Sequence, residues 1–157
     1  MIRQTGMAAL VAAICGACAS VPDPAAMVQT PSAFAFGASV ETIQTSLDGL
    51  CTSQTLRAIN PPQIPGTSSH MQIDCEGFDY FGAPRLAELV FGDDKLVLVW
   101  VLTREDEDAA LVSAFTDAFG APTVRTDTMT AFTDHNAAVR KDVAEVLYYS
   151  SAVETLV

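Results

Sequence analysis

The stretch "LVLVWVL", residues 96–102, is apolar at every position. Successive side chains of a β-strand point to opposite faces of the sheet, so a strand with this sequence is apolar on both faces. Such a strand must be covered on both sides. Helices can cover one face, and another part of the chain then has to cover the other face, at least in part.

Neighbouring stretches predict the strands around it. Residues 86–91 form a second apolar run, and the sequence GDDK at residues 92–95 separates the two runs, which is typical of an antiparallel hairpin. Apolar and polar residues alternate over residues 71–76, the pattern of a half-buried strand. Three further short strands are predicted, at residues 128–133, 137–140 and 145–150.

Two helices are predicted from apolar residues at helical spacing. Ser39 is the expected N-cap of the first helix, and Thr103 is the expected N-cap of the second, whose first turn is acidic. Gly120 is expected to end the second helix. The apolar stripe of the first helix is Val40, Ile43, Leu47 and Leu50. The stripe of the second is Leu111, Val112, Phe115, Ala118 and Phe119.

Together these elements form a pseudo-repeat in which a helix and three strands are followed by another helix and three strands. The predicted fold class is α+β, with two helices packed on one antiparallel sheet as a two-layer sandwich. Half of the 157 residues are hydrophobic, which is enough to build the core of one domain.

The N-terminal residues have the organisation of an export signal. Residues 1–19 begin with a single charge, at Arg3, and continue with an uncharged, mostly apolar stretch over residues 7–15. This pattern is typical of a secretion signal peptide and is too short for a membrane-spanning helix. We therefore expect an exported protein, in the periplasm or on the periplasmic face of the outer membrane.

Two kinds of processing fit the end of this signal. Residues 17–19, ACA, match the small-x-small pattern of an ordinary signal peptidase, with cleavage before Ser20. The same stretch resembles a bacterial lipoprotein signal, in which the cysteine becomes the lipidated first residue. Cys18 follows two small residues, as that motif requires, whereas Cys15 stands where the motif favours leucine. We expect Cys18 to carry lipid and to attach the protein to a membrane.

The rest of the chain divides at residue 39. Residues 20–38 mix Pro, Ala, Ser and Thr without periodicity and are predicted to be a flexible tether, followed by a single α+β domain at residues 39–157. Cys51 and Cys75 both lie in that domain. In an exported protein an isolated cysteine pair is expected to form a disulfide, here between the end of the first helix and the inward face of the strand at residues 71–76.

The acidic balance excludes one class of partner. The chain has 19 Asp and Glu residues against 8 Lys and Arg, which gives a formal net charge of −11. Because no basic patch offsets this charge, phosphate backbones would be repelled and nucleic-acid binding is not expected.

No catalytic or metal-binding constellation is evident in the sequence. The two histidines, His70 and His135, are far apart and belong to no metal-ligand motif. The nucleophile elbow, the phosphate-binding loop and the dinucleotide fingerprint are all missing. We therefore expect a protein that is not an enzyme and that needs neither a cofactor nor a metal.

The stretch EGFDYFGAPR carries the candidate partner-binding residues. Phe78, Tyr80 and Phe81 fall between two predicted strands, where exposed aromatic side chains can bind a protein partner, and Arg85 can pair with an acidic group. Burial of these aromatics in the core is the alternative interpretation. The competing function is an envelope hydrolase or small-ligand-binding protein with a pocket near Phe78, Tyr80 and His70.

The helix-plus-strands pattern, the short length and the lipoprotein-like start resemble small bacterial envelope lipoproteins of the SmpA/OmlA type and, to a lesser degree, β-lactamase inhibitor protein. The similarity covers most of residues 39–151 and is one of architecture, without motif residues. It implies a non-catalytic role in binding or assembling other envelope proteins.

Overall fold

A computed structural model describes residues 22–156. Within these residues, eight strands form one open sheet in which all neighbours are antiparallel. The strands are β1 (Ser53–Ala58), β2 (His70–Tyr80), β3 (Ala83–Gly92), β4 (Lys95–Leu102), β5 (Val124–Arg125), β6 (Met129–Phe132), β7 (Ala137–Arg140) and β8 (Glu145–Tyr149). The α-helices are α1 (Pro24–Met27), α2 (Val40–Ser46) and α3 (Asp108–Phe119).

The sheet order is β1-β2-β3-β4-β8-β7-β6-β5. Each set of four strands is therefore a meander, and the two meanders meet where β4 pairs with β8. The prediction of an α+β fold with an antiparallel sheet is confirmed. The sequence patterns do not predict β1 or β5, because five of the six β1 residues and both β5 residues are exposed and show no apolar face.

The predicted helices are present with different ends. Ser39 caps α2 as predicted, since its hydroxyl accepts the Thr42 N–H, but the helix ends at Ser46 and leaves Leu50 exposed. Thr103 is not the cap of α3. A 3-10 turn, Glu105–Glu107, precedes that helix, and the Glu107 carboxylate accepts the Arg104 N–H instead.

Strand β4 has apolar side chains on both faces, as its sequence predicts. Val99 and Val101 belong to a large buried cluster that includes Ile43 of α2, its C-cap residue Leu47, and Leu111 of α3. We call this side of the sheet the helix face. The other side, the open face, carries Leu98, Trp100 and Leu147 of a second, smaller cluster. Ile64 and Val153 cover part of the open face, from the loop before β2 and the 3-10 helix Ser151–Leu156.

A β-bulge changes which face the end of β2 presents. The β2–β3 register shifts between Glu76 and Phe78, so Gly77 is the extra residue. Its φ is +74°, and a Cβ there would lie 2.7 Å from the Thr52 side chain, so glycine is required. As a result Phe78 and Tyr80 join Cys75 on the helix face.

The segment predicted to be a flexible tether is, from residue 22 on, part of the folded domain. Val28 and Phe34 are buried in the helix-face cluster. The Tyr148 hydroxyl donates to the Val28 carbonyl at 2.8 Å and lies 2.8 Å from the Tyr80 hydroxyl. The proline-containing composition did not reveal this role, because the apolar residues of the segment follow no period.

The predicted disulfide is confirmed. Cys51 and Cys75 are bonded, with Cα atoms 5.4 Å apart. Cys75 is fully buried on the helix face, and Cys51 lies in the turn after α2, five residues beyond the helix. The bridge therefore fixes the end of the α2 segment to the second strand of the sheet.

Replacing both Cys51 and Cys75 by alanine should lower the free energy of unfolding by roughly 2–5 kcal/mol, because the bridge no longer restricts the unfolded chain. Urea denaturation followed by circular dichroism measures this change. Dithiothreitol should lower the free energy of unfolding of the wild type by a similar amount and leave that of the double variant unchanged. Free thiols at both positions in the native protein, detected by non-reducing mass spectrometry, would contradict the bridge.

Candidate functional site

The open face presents the single tryptophan of the chain. Trp100 lies between Glu88 of β3 and Leu147 of β8 in the strand register. Both Trp100 and Leu98, two residues earlier on the same face, are partly exposed. The strand that stabilises the core with its helix-facing side chains thus offers an aromatic surface to solvent on its other side.

Charged residues flank Trp100 on the side of β1 and β2. Arg57 makes a two-pronged contact with Asp74, at 2.9 and 3.3 Å, and its Nη2 lies 3.5 Å from Glu88 Oε1. Gln72 donates to the same Asp74 carboxylate at 2.7 Å. The Arg57 side chain is 44% exposed, so this network contributes little to stability and is accessible to a partner.

Arg140 of β7 closes the other side of Trp100. Its guanidinium carbon lies 5.3 Å from the centre of the indole ring, within range of a cation–π interaction. Arg140 also donates to Glu145 at 2.6 Å and to Asp142 at 2.7 Å. Burial raises the pKa of Glu145, although Arg140 opposes this shift, whereas the hydrogen bond from Arg140 lowers the pKa of Asp142. These contacts hold the guanidinium in place beside the ring.

A groove of about 260 Å³ lies next to Trp100 on the open face. One part of its lining is apolar and the other part is polar. The apolar residues are Ile64, Val90, Leu98 and Trp100, and the polar residues are Gln63, His70, Gln72 and Glu88.

The β3–β4 turn holds the loop that forms one wall of the groove. Asp93 and Asp94 both have positive φ, 48° and 60°, as a two-residue hairpin turn of this type requires. Asp93 Oδ1 accepts the backbone N–H groups of Ser68 and Ser69, and these bonds lower its pKa. Asp94 accepts the Val40 N–H at the start of α2. One turn therefore positions elements on both faces of the sheet.

His70 is a buried polar residue in the wall of the groove, with 7% of its surface exposed. Its Nδ1 accepts the Gln63 N–H at 3.2 Å, so the neutral ring carries its proton on Nε2. Within residues 22–156, Nε2 has no hydrogen-bond partner. Burial lowers the pKa of His70, and the charge of Arg57 acts in the same direction. The imidazole is therefore a neutral donor with an unused N–H.

The predicted partner-binding residues lie elsewhere. Phe78 and Tyr80 are 5% and 3% exposed, in the helix-face cluster, because the Gly77 bulge turns them inward. Arg85 is also buried and pairs with Glu107 at 2.6 Å, which meets the expectation of an acidic partner. Phe81 is partly buried against the same cluster.

The structure does not bring Phe78, Tyr80 and His70 together. The two aromatics line a hollow of about 420 Å³ that also includes Met27 and Phe81, whereas His70 lines the groove on the open face. Within the described residues, the three side chains therefore line different cavities. The predicted lipidation site, Cys18, lies outside the described residues.

Apart from His70, which was predicted to line a pocket, the residues of the open face were not identified as a site from the sequence. The apolar character of residues 96–102 is the one signal that pointed to this face, because it requires a second covering layer. Arg57 lies on an unpredicted strand, and Arg140 reaches Trp100 only through the β4-β8-β7 order. No local pattern relates these positions.

None of the helices in residues 22–156 has the length and apolar character needed to cross a membrane. In the same part of the chain, no group of three or more His, Cys, Asp or Glu side chains is arranged to hold a metal ion. No protein-family model, curated protein or solved structure matches the chain.

The free energy of unfolding should decrease as the pH falls through the ordinary histidine range near ~6.5, because folded His70 has a lowered pKa and binds fewer protons than the unfolded chain. His70→Gln, which keeps an acceptor for the Gln63 N–H, should reduce this slope. Urea denaturation of both proteins between pH 5 and 8, in steps of about one unit, provides the comparison.

Glu145 has the opposite effect on the free energy of unfolding at lower pH. Because its pKa is raised in the folded state, the folded protein takes up a proton at a higher pH than the unfolded chain and is stabilised as the pH falls. Glu145 is present in both proteins, so the difference between their slopes isolates His70. Identical slopes would contradict the assignment of His70 as a neutral buried group.

Proposed function

We propose that this protein is an exported, lipid-anchored bacterial envelope protein with a non-catalytic role in protein binding or assembly. In this proposal the partner binds the open face, around Trp100. The proposal also describes the fold as a two-layer sandwich with a pseudo-repeat, in which α2 begins one half and α3 begins the other. The similarity to small envelope lipoproteins of the SmpA/OmlA type is part of the same proposal.

The observation that carries the proposal is the unequal covering of the two sheet faces. The helix face is filled by α2, α3 and the segment that contains Val28 and Phe34. On the open face, Leu98, Trp100 and Met129 are only partly buried. A partly exposed aromatic residue ringed by charged groups is a common centre of a protein interface.

The charges of the open face favour a basic partner. Asp74, Glu88, Asp142 and Glu145 supply four carboxylates around Trp100, against two guanidiniums. The chain as a whole carries a net charge of −11. Charge complementarity raises the rate of association and excludes acidic partners, so a partner segment rich in Lys or Arg fits this face.

The proposed anchor would keep the domain close to the membrane. Asp23 already caps α1 by accepting the Ala25 N–H. Only residues 19–22 separate it from Cys18, and a fully extended chain of that length spans roughly 18 Å. A lipid on Cys18 would therefore hold the open face near envelope proteins that lie at the same membrane surface.

A photoreactive amino acid placed at Trp100 should cross-link to one envelope protein in living cells, because that side chain lies at the centre of the proposed interface. Positions 98 and 129 should give the same product. Leu50, which is 47% exposed and lies outside the open face, is the matched control and should give none. Immunoblotting of cross-linked envelope fractions measures the products.

The same photoreactive amino acid is also placed at position 81, because Phe81 was predicted to contact a partner. A product from positions 81 or 50 together with none from position 100 would contradict binding through the open face.

Wild-type protein should incorporate a clickable fatty-acid analogue, and Cys18→Ser should not, because Cys18 is the proposed lipidated residue. Cys15→Ser is the matched control and should retain the label. In-gel fluorescence after metabolic labelling is the measurement. An unlabelled mature protein that begins at Ser20 would contradict lipidation and would leave export unaffected.

A further inference from the structure

We propose that the groove beside Trp100 binds an arginine side chain from an extended segment of the partner protein. This inference rests on the proposed function and assigns a recognition role to the groove lined by Leu98, Trp100, His70 and Glu88.

The apolar wall suits the aliphatic part of an arginine side chain. Ile64, Val90 and Leu98 lie along the groove, and the indole ring of Trp100 borders it. The guanidinium group of arginine is planar and weakly hydrated, so it can stack on an aromatic ring. The methylene groups of the same side chain can then contact apolar residues. The open face already contains one such contact, between Arg140 and Trp100.

Glu88 supplies the charge that an arginine requires. Its side chain is 28% exposed and lines the groove, and its ion pair with Arg57 is long at 3.5 Å. A carboxylate has about four lone-pair sites, so Glu88 can accept further N–H groups without losing Arg57. The fork of N–H donors on a guanidinium matches a carboxylate better than a lysine ammonium does.

His70 supplies a donor for the backbone of the bound segment. Its Nδ1 is occupied by the Gln63 N–H, and its buried Nε2 is without a partner among the described residues. Because Nε2 is buried, the ring must shift slightly for a peptide carbonyl to reach the Nε2–H. The bond would then satisfy a group that has no acceptor within residues 22–156. An extended peptide can present a side chain and a carbonyl on the same side, whereas free arginine lacks the amide carbonyl.

The test uses the capped peptide acetyl-Leu-Arg-Leu-amide and two matched peptides in which lysine or citrulline replaces arginine. Binding is followed by the fluorescence of Trp100, the only tryptophan, and by the ¹⁵N chemical shift of His70 Nε2. The arginine peptide should bind at least tenfold more tightly than the uncharged citrulline peptide, a difference of about 1.4 kcal/mol, and should shift the His70 Nε2 signal.

Glu88→Gln should remove most of this preference. Glu41→Gln, at an exposed carboxylate of α2, is the control and should retain it. His70→Phe should lower the affinity for all three peptides without changing the order of their affinities. Circular dichroism verifies that each variant is folded.

The inference would be overturned if the citrulline or the lysine peptide bound as tightly as the arginine peptide. It would also be overturned if none of the peptides showed saturable binding. Saturable binding of tri-N-acetylglucosamine without peptide binding would overturn it in favour of a carbohydrate site. A cross-link from position 100 combined with any of these results would refute the arginine groove alone. Peptide binding without that cross-link would instead refute the proposed envelope partner.

Discussion

The structure depends on one constraint, that strand β4 is apolar on both faces and therefore needs cover on both sides of the sheet. Burial of apolar area is the main favourable contribution to folding, and this strand supplies it on two sides. On the helix face, α2, α3 and residues 24–38 complete the cover. On the open face, Ile64 and Val153 cover only part of the strand, and Trp100 stays partly exposed. The candidate site is thus the part of the two-sided strand that residues 22–156 leave uncovered.

Two local devices allow this unequal covering. The Gly77 bulge moves Phe78 and Tyr80 to the helix face. The open face carries the buried Tyr149 and the partly exposed Trp100. The Asp93–Asp94 turn binds both the loop that borders the groove and the start of α2. A change in this turn would therefore disturb core and groove together, which couples the stability of the fold to the shape of the site.

Patterns that repeat within one element made much of the fold predictable. The two-sided apolar strand, the β3–β4 hairpin, α3 and the Cys51–Cys75 bridge all follow from local spacing or from cysteine count. The site depends on relations between distant residues, and these leave no local pattern. Phe78 and Tyr80 were expected to lie between two strands, but β2 continues to Tyr80. The extra residue Gly77 then turns both side chains to the helix face, because strand side chains alternate with a period of two. Likewise, Arg140 reaches Trp100 only because β8 pairs with β4. These two strands are distant in the chain, since α3 and strands β5 to β7 lie between them.

The central claim is that the open face is accessible in the isolated protein and covered in the cell envelope. Hydroxyl-radical footprinting of the purified protein and of intact cells, analysed by mass spectrometry, tests it most directly. The account predicts that Trp100 and Met129 are oxidised readily in the purified protein and several-fold more slowly in cells, whereas Leu50 reacts equally in both. Equal oxidation of Trp100 in the two settings, relative to Leu50, would contradict the claim.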